Sequence, residues 1–487
     1  MTYQVPQHIS KDKIFIVNRS VIDNRLDAQY YSANLDLSGF VKLSYVAIVK
    51  GGKRIPKGYG YSNEQTPYHY LRVADMDSDA QVEVNNLMNI SEEVFNILER
   101  YEISEGELAI SIAGTIGKTT ILKNIPADKR VILTENCAKI LARPNVNLLP
   151  EYLKICLELP IVKKQLDLNY IQTTIPKLGL DKIVGIKIPP IPCMQKQQEI
   201  VDFINEAYTQ KRAKEVEAQQ LLDSIDGYLL KELGITIPNV DNELNNRIFF
   251  SSFNKIEGNR IDPKKYSTKV RNLCAAILNA NYETKELNRF IVDSCSGDWG
   301  TEDCEDYNRD THIRCLTLRG TEIDNQYNIS INKDKAKTRL IKIDTYRKMS
   351  IATGDIIVEK SGGSEEQPVG RVAFIDNELL ELYNIGFSNF LFKFKVKGID
   401  PLYLYFYLKT MYNIGVTDSM QSQTNGIRNL IVKEFLSQIV VKPPYLKQQE
   451  IVDYITNIQT RAKALQAEGK AILEDAKLKV EEMILGE

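Results

Sequence analysis

Few residues in this sequence have the types and spacing that chemistry requires. Gly114-Thr115-Ile116-Gly117-Lys118-Thr119-Thr120 carries the Gly-Lys-Thr of a nucleotide phosphate cradle. Such a cradle needs another glycine five residues before its Gly-Lys glycine, so that successive backbone N–H groups face the phosphates. Ile112 stands at that position, and ATP binding is not expected there. A metal centre is poorly supplied: the histidines are His8, His69 and His312, and the seven cysteines contain no Cys-x-x-Cys pair. The thiols read as reduced and structural. What remains is noncovalent. The run 51–62, GGKRIPKGYGYS, interleaves Lys53, Arg54 and Lys57 with Tyr59 and Tyr61. Its glycines permit close backbone approach and its cations suit phosphates, although a solvated surface loop has the same composition.

The elements that must hold these residues occur twice. Asn24-Arg25-Leu26-Asp27 with Tyr31-Ser32 returns as Asn259-Arg260-Ile261-Asp262 with Tyr266-Ser267. Glu105-Gly106-Glu107 is echoed by Thr353-Gly354-Asp355, and Pro150-Glu151-Tyr152-Leu153 by Pro401-Leu402-Tyr403-Leu404. The strongest match sets the seven residues Lys196–Asp202, KQQEIVD, against the identical Lys447–Asp453. The matches are collinear and each copy is far longer than a solenoid repeat, so the chain is a duplicated domain. Asp27 and Asp262 each follow an arginine of their own copy, which favours local ion pairs over a shared acid–base site.

Within each copy the pattern moves from mixed to helical. Short strand-like runs such as YVAIV, ELAISIAG, DIIVEK and FLFKFKV alternate with Gly, Asn and Asp turns, interrupted by short helical segments. After Pro189, Pro190 and Pro192, and again after Pro443 and Pro444, comes a long stretch rich in Ala, Glu, Lys, Gln and Leu. These stretches run from Cys193 to Ile237 and from Tyr445 to Glu487. Apolar positions recur at 4-3 spacing: Ile200, Ile204, Ala207, Ala218, Leu221 and Ile225 in the first; Ile451, Ile455, Ile458, Ala462, Leu465, Ile472 and Ala476 in the second. Lys211 and Lys214 weaken the first seam, and Lys479 falls on the second. A period near 3.5 implies a coiled-coil seam, and about forty residues give a rod of roughly 60 Å. Two separate amphipathic helices would share the pattern; for helices related by duplication, mutual pairing is expected.

Composition bounds the reading. The chain has 487 residues, 43% hydrophobic, with a formal net charge of -2. That composition excludes intrinsic disorder and accommodates several domains. No stretch approaches the roughly 18 apolar residues of a membrane span, and the opening MTYQVPQHISKDK lacks the apolar core of a signal peptide. A cytoplasmic location is expected. The charge divides nearly evenly between the halves, and a local basic groove can sit on a neutral chain.

Two mixed domains, each followed by a proline break, QQEIV and a long helix, resemble the specificity subunit of type I restriction-modification systems. The openings Arg25-Leu26-Asp27 and Arg260-Ile261-Asp262, the Gly114–Lys118 segment and Gln172-Thr173-Thr174-Ile175-Pro176-Lys177-Leu178 carry the resemblance further. The second copy departs from it, with Ser361-Gly362-Gly363-Ser364 and the longer Gln421–Ile427 in the corresponding places. The resemblance implies an α+β fold with mixed α/β target-recognition domains at 1–194 and 238–445. Long helices at 195–237 and 446–487 would pair as an antiparallel coiled coil with the globular domains at opposite ends. It implies a non-catalytic subunit that reads a bipartite site in double-stranded DNA. Two methyltransferase subunits would dock on the helices and bring S-adenosylmethionine; ATP-dependent restriction subunits, with ATP and Mg, are possible further partners. No cofactor is expected in this chain.

In that role Lys53, Arg54, Lys57 and Tyr59 would meet phosphates or guanine edges. Gln172 and Thr173, then Gln421 and Gln423, would lie near bases, glutamine being able to pair with adenine through two hydrogen bonds. Lys118, Lys177 and Arg428 flank these segments and would neutralise phosphates, with Ser361 beside them in the second copy. Trp299 reads as a packing residue. Two rival readings remain at this point. One is an assembly scaffold with a coiled coil and no DNA selectivity. The other is a DNA adenine methyltransferase, suggested by Lys442-Pro443-Pro444-Tyr445. Lysine, however, cannot accept the hydrogen bond from the target amino group that Asp or Asn accepts in that motif.

Overall fold

The structure is a computed structural model. It describes residues 14, 16–19, 22, 28–33, 35–76, 82–169, 176–237, 248, 250, 252, 262–324, 329–332, 336–364, 367–424 and 427–486, the side chains of Gln29, Gln423 and Thr424 excepted. The chain divides into two compact units, one of residues 1–213 with 468–487 and the other of residues 214–467.

Among the described residues, the globular part of the first unit has ten strands: β1 (Val41–Lys42), β2 (Ala47–Gly51), β3 (Tyr68–Leu71), β4 (Met88–Asn89), β5 (Glu102–Ile103), β6 (Leu108–Ser111), β7 (Thr119–Ile121), β8 (Arg130–Leu133), β9 (Cys137–Ala142) and β10 (Lys187–Ile188). They form a sheet β2-β9-β6-β7, a sheet β4-β3-β8-β5 and a ribbon β1-β10. All pairs are antiparallel except β3 with β8. β6 is buried at every position, as an apolar run covered on both faces requires. Helices Pro150–Glu158 and Pro160–Asn169 pack on this core.

The second unit continues with β11 (Glu283–Glu286), β12 (Ile291–Ser296), β13 (Thr301–Glu302), β14 (His312–Leu318), β15 (Thr338–Lys342), β16 (Ile356–Glu359), β17 (Ser361–Gly363), β18 (Val372–Phe374), β19 (Ile385–Phe387), β20 (Leu391–Val396), β21 (Gln421–Thr424), β22 (Ile427–Leu430) and β23 (Ile439–Lys442). The sheet β12-β20-β16-β18 reproduces β2-β9-β6-β7. In the sheet β13-β15-β14-β19, the order β15-β14-β19 reproduces β4-β3-β8 with β14 and β19 as the parallel pair, while β13 is added beyond β15 and the first copy instead adds β5 beyond β8; β11-β23 reproduces the ribbon. Helix Pro401–Asn413 is apolar almost all round and buried, with Tyr403 and Tyr407 donating to the Val441 and Ile439 carbonyls at 2.7 and 2.8 Å.

The duplicated motifs owe their identity to structural tasks. Gln197 and Gln448 are both buried. The Leu149 N–H donates to Gln197 Oε1 at 2.9 Å, and Gln197 Nε2 donates to the Asn147 and Pro192 carbonyls. In the second copy the Asp400 N–H donates to Gln448 Oε1, and Gln448 Nε2 donates to the Pro443 carbonyl, both at 2.8 Å. One glutamine therefore clamps the start of a long helix to the residue before a short one. The KPPY segment belongs to this clamp. Gly106 and Gly354 both take positive φ, at 78° and 88°, in matching turns where their N–H groups bond the Leu122 and Ile375 carbonyls.

The long helices are Met194–Leu233 and Tyr445–Leu485. The first stops four residues short of Ile237, because Gly234 adopts a left-handed conformation and its N–H bonds the Lys231 carbonyl. The second starts at Tyr445, the last residue of the range drawn for the second domain. In the second unit Tyr228 stacks on Tyr454 at 3.9 Å, and Glu232–Lys447 and Glu217–Arg461 approach to 2.7 and 3.2 Å. In the first unit Ile200, Ile204 and Ala207 share a core with Leu473, Ala476 and Val480. The expected row fails there: Leu473 and Val480 are buried, whereas Lys479 is exposed. A helix of 3.6 residues per turn drifts from a 3.5 repeat, and here the row turns toward the globular core.

Candidate nucleic-acid interface

In the first copy the basic loop is anchored by its backbone. The Gly52 and Lys53 N–H groups donate to the Cys137 and Leu133 carbonyls at 2.9 Å, and Tyr70 Oη donates to the Lys53 carbonyl at 2.7 Å. A Cβ on Gly52 would lie 2.1 Å from the Thr134 carbonyl oxygen, so only glycine fits. Lys53, Arg54, Lys57 and Tyr59 are all exposed. Arg54 Nε donates to Glu135 at 2.5 Å, and Tyr59 Oη to Glu93 at 2.6 Å.

Behind the loop lies a cleft of about 340 Å³ lined by Arg54, Tyr61, Tyr70, Arg72, Glu135 and Asn136 among others. Burial works to raise the Glu135 pKa, but the Arg54 hydrogen bond and that from Thr134 prevail and hold it below the usual carboxylate range. Burial pushes the Tyr70 hydroxyl up to about 12, so it stays a neutral donor. Arg72 stands over the Tyr61 ring at 6.0 Å and is gripped by Asp75 through Nε and Nη2. Arg72, Glu135 and Asn136 escaped the sequence reading, because they are distant in sequence and meet only through the parallel β3-β8 pair.

Lys118 and Lys177 lie on a second segment, which meets the cleft where the Ile112 N–H donates to the Asn136 carbonyl at 2.7 Å. The 112–118 segment joins two antiparallel strands, β6 and β7, whereas a phosphate cradle opens a helix. It folds against 176–178: Ala113 bridges Lys177, Gly114 N–H donates to the Pro176 carbonyl and Leu178 N–H to that of Ile112. Gln172 and Thr173 lie outside the described residues, as do His8, Arg25, Asp27 and Arg260. Asp262 accepts the Lys264 N–H at 3.0 Å.

In the second copy, β17-β22-β21 is a small sheet in which Ser361 opposes Asn429 and Gln423 opposes Arg428. Gln421 corrects the expectation placed on it. Its side chain is buried, and Nε2 donates to the Val369 and Thr417 carbonyls at 3.3 Å. Strand alternation turns this amide into the core, where a base edge does not reach it. Trp299 is half-buried, with the Arg339 guanidinium 4.6 Å from its ring centroid.

Among the described residues no helix is long and apolar enough to cross a membrane, and no cluster of His, Cys, Asp and Glu could hold a metal ion. Together the copies define a class: one α+β scaffold repeated in a chain with two long helices, its loops carrying different residues in each copy. The sequence matches the type I restriction modification DNA specificity domain over residues 37–225 and 316–474, more than half of the chain. The protein belongs to that family. It is 26% identical over 148 residues to the type I restriction enzyme EcoBI specificity subunit of Escherichia coli, a match covering 30% of each chain. The chain thus spans under a third of that relative. Among solved structures it is similar to a type I restriction-modification S subunit from M. genitalium, at 11% identity and a TM-score of 0.38, covering 91% of this chain and 95% of that one. It is also similar to the HsdS subunit from Thermoanaerobacter tengcongensis, at 14% identity and 0.35, covering 92% and 97%.

Proposed function

We propose that this protein is the sequence-specific DNA-recognition subunit of a type I restriction-modification complex, without catalysis of its own. Each globular domain reads one half of a bipartite site, and the helix pair fixes the distance between halves. The observation that carries the reading is one backbone scaffold present twice with different exposed residues on its loops. Two such readers specify two different half-sites, whereas a scaffold for protein assembly needs no such divergence. The pairs Glu232–Lys447, Tyr228–Tyr454 and Glu217–Arg461 run in opposite sequence directions, which supports an antiparallel coiled coil. A stiff pair holds a fixed separation; a flexible linker does not.

Methyltransferase subunits dock on the helices in this account and supply S-adenosylmethionine. ATP and Mg belong to a restriction subunit where one joins. Because the chain is nearly neutral, it releases few counterions and binds DNA weakly alone. The test is selection from a random DNA pool by the chain with and without its methyltransferase subunits. The complex is expected to enrich two short motifs at one fixed gap. Enrichment of no sequence would favour the assembly scaffold.

A further inference from the structure

The second domain holds a surface that corresponds, in three backbone hydrogen bonds, to the basic loop of the first. The Gly52 N–H donates to the Cys137 carbonyl, and the Gly297 N–H to that of Leu391. The Lys53 N–H donates to the Leu133 carbonyl, and the Asp298 N–H to that of Phe387. The Ile112 and Lys360 N–H groups bond the Asn136 and Phe390 carbonyls in the same way. A Cβ on Gly297 would lie 2.2 Å from the Phe387 carbonyl oxygen, the same close approach as at Gly52. By these bonds Asp298 stands where Lys53 stands, Trp299 where Arg54 stands, and Phe390 where Asn136 stands.

The exposed chemistry at these positions is inverted. Asp298 is an exposed acceptor whose Oδ1 takes the Gly300 N–H at 2.9 Å, which shapes the loop. Phe390 is 53% exposed, so its ring faces outward beside Asp298 and Trp299. Lys360 lies beside them, its Nζ donating to Ser296 Oγ at 3.0 Å. Trp299 completes the patch, one ring face covered by Arg339.

We propose that Asp298, Trp299 and Phe390 are base-reading residues of the second domain, with Lys360 as their phosphate anchor. This rests on the DNA-recognition reading above. A carboxylate in a groove accepts from the exocyclic amine of cytosine or adenine and repels the acceptor edge of guanine. An exposed aromatic ring packs on a thymine methyl group. The first domain presents Lys53 and Arg54 at the same scaffold positions, which suit guanine O6 and N7. The two half-sites therefore differ in donor and acceptor chemistry at the positions facing this loop.

The test uses the full chain expressed with its methyltransferase subunits, read by sequencing methylated bases. Asp298→Asn keeps an oxygen for the Gly300 N–H but adds a donor, and Phe390→Ala removes an exposed ring. Each is expected to leave one half of the methylated motif intact and to change or relax at least one position in the other, by tenfold or more in site preference. Lys53→Ala is expected to alter the opposite half. A wild-type motif from both Asp298→Asn and Phe390→Ala would overturn the assignment, as would loss of both halves together, which marks a purely structural role. Absence of any chain-dependent two-part motif in the wild type would instead remove the underlying recognition reading.

Discussion

Replacing Gln448 by alanine should weaken the second unit far more than its surface neighbours suggest. The side chain is buried, its Oε1 accepts the Asp400 N–H and its Nε2 donates to the Pro443 carbonyl, both at 2.8 Å. Truncation leaves the buried Pro443 carbonyl and the partly buried Asp400 N–H unpaired, each costing about 1–3 kcal/mol. A loss of about 3 kcal/mol is expected, before any contribution from the space vacated. Gln449 is the internal comparison: it is half-buried and makes one bond, to Asp400 Oδ2 at 2.8 Å, so Gln449→Ala should cost about 1 kcal/mol or less. Gln448→Glu adds a sign. The carboxylate keeps the Asp400 bond but faces the Pro443 carbonyl, which raises its pKa in the folded state above the unfolded value. Stability of that variant is then greatest below the unfolded glutamate pKa of about 4.3 and falls as pH rises through the higher folded value. Urea unfolding and hydrogen exchange at the Asp400 amide measure both effects. Equal losses for Gln448→Ala and Gln449→Ala, with the Asp400 amide still protected, would refute the reasoning.

Three further outcomes follow from particular groups. Lys393 and Asp355 form a fully buried ion pair at 3.1 Å, whereas the corresponding Lys139–Glu107 pair is partly exposed; Asp355→Ala should cost about 3–5 kcal/mol and Glu107→Ala about 1 kcal/mol or less by denaturant unfolding. Burial lowers the pKa of Lys409 to about 8. The unfolded state therefore holds more protons above that pH, so stability should rise from pH 8 towards 10, and Lys409→Met should abolish the rise in calorimetry. Inserting seven residues into both long helices, after Ala213 and after Ala467, lengthens each by about 10 Å, which corresponds to about three base pairs. The gap between methylated half-sites should change accordingly, and an unchanged gap would mean the helices do not set it.

The duplication was legible because identical side chains perform identical backbone tasks. Gln197 and Gln448 clamp, and Gly106 and Gly354 turn. The correspondence between Lys53-Arg54 and Asp298-Trp299 was not legible. Backbone N–H groups hold both loops, and any residue except proline supplies one, so the side chains diverge without trace. Gln421 was misread for a related reason: an amide declares its hydrogen-bonding capacity but not which face of a strand it occupies, and here it faces inward. The 4-3 spacing picks out buried positions at Ile451, Ile455 and Ala462. It was misread at Lys479, where the globular core draws the buried row to Leu473 and Val480.

The most direct measurement is the methylated-base sequence of cells carrying the methyltransferase subunits with this chain, and again without it. The account predicts a two-part motif with one fixed gap that disappears when the chain is omitted. Methylation of a short continuous site, unchanged by omission of the chain, would contradict it.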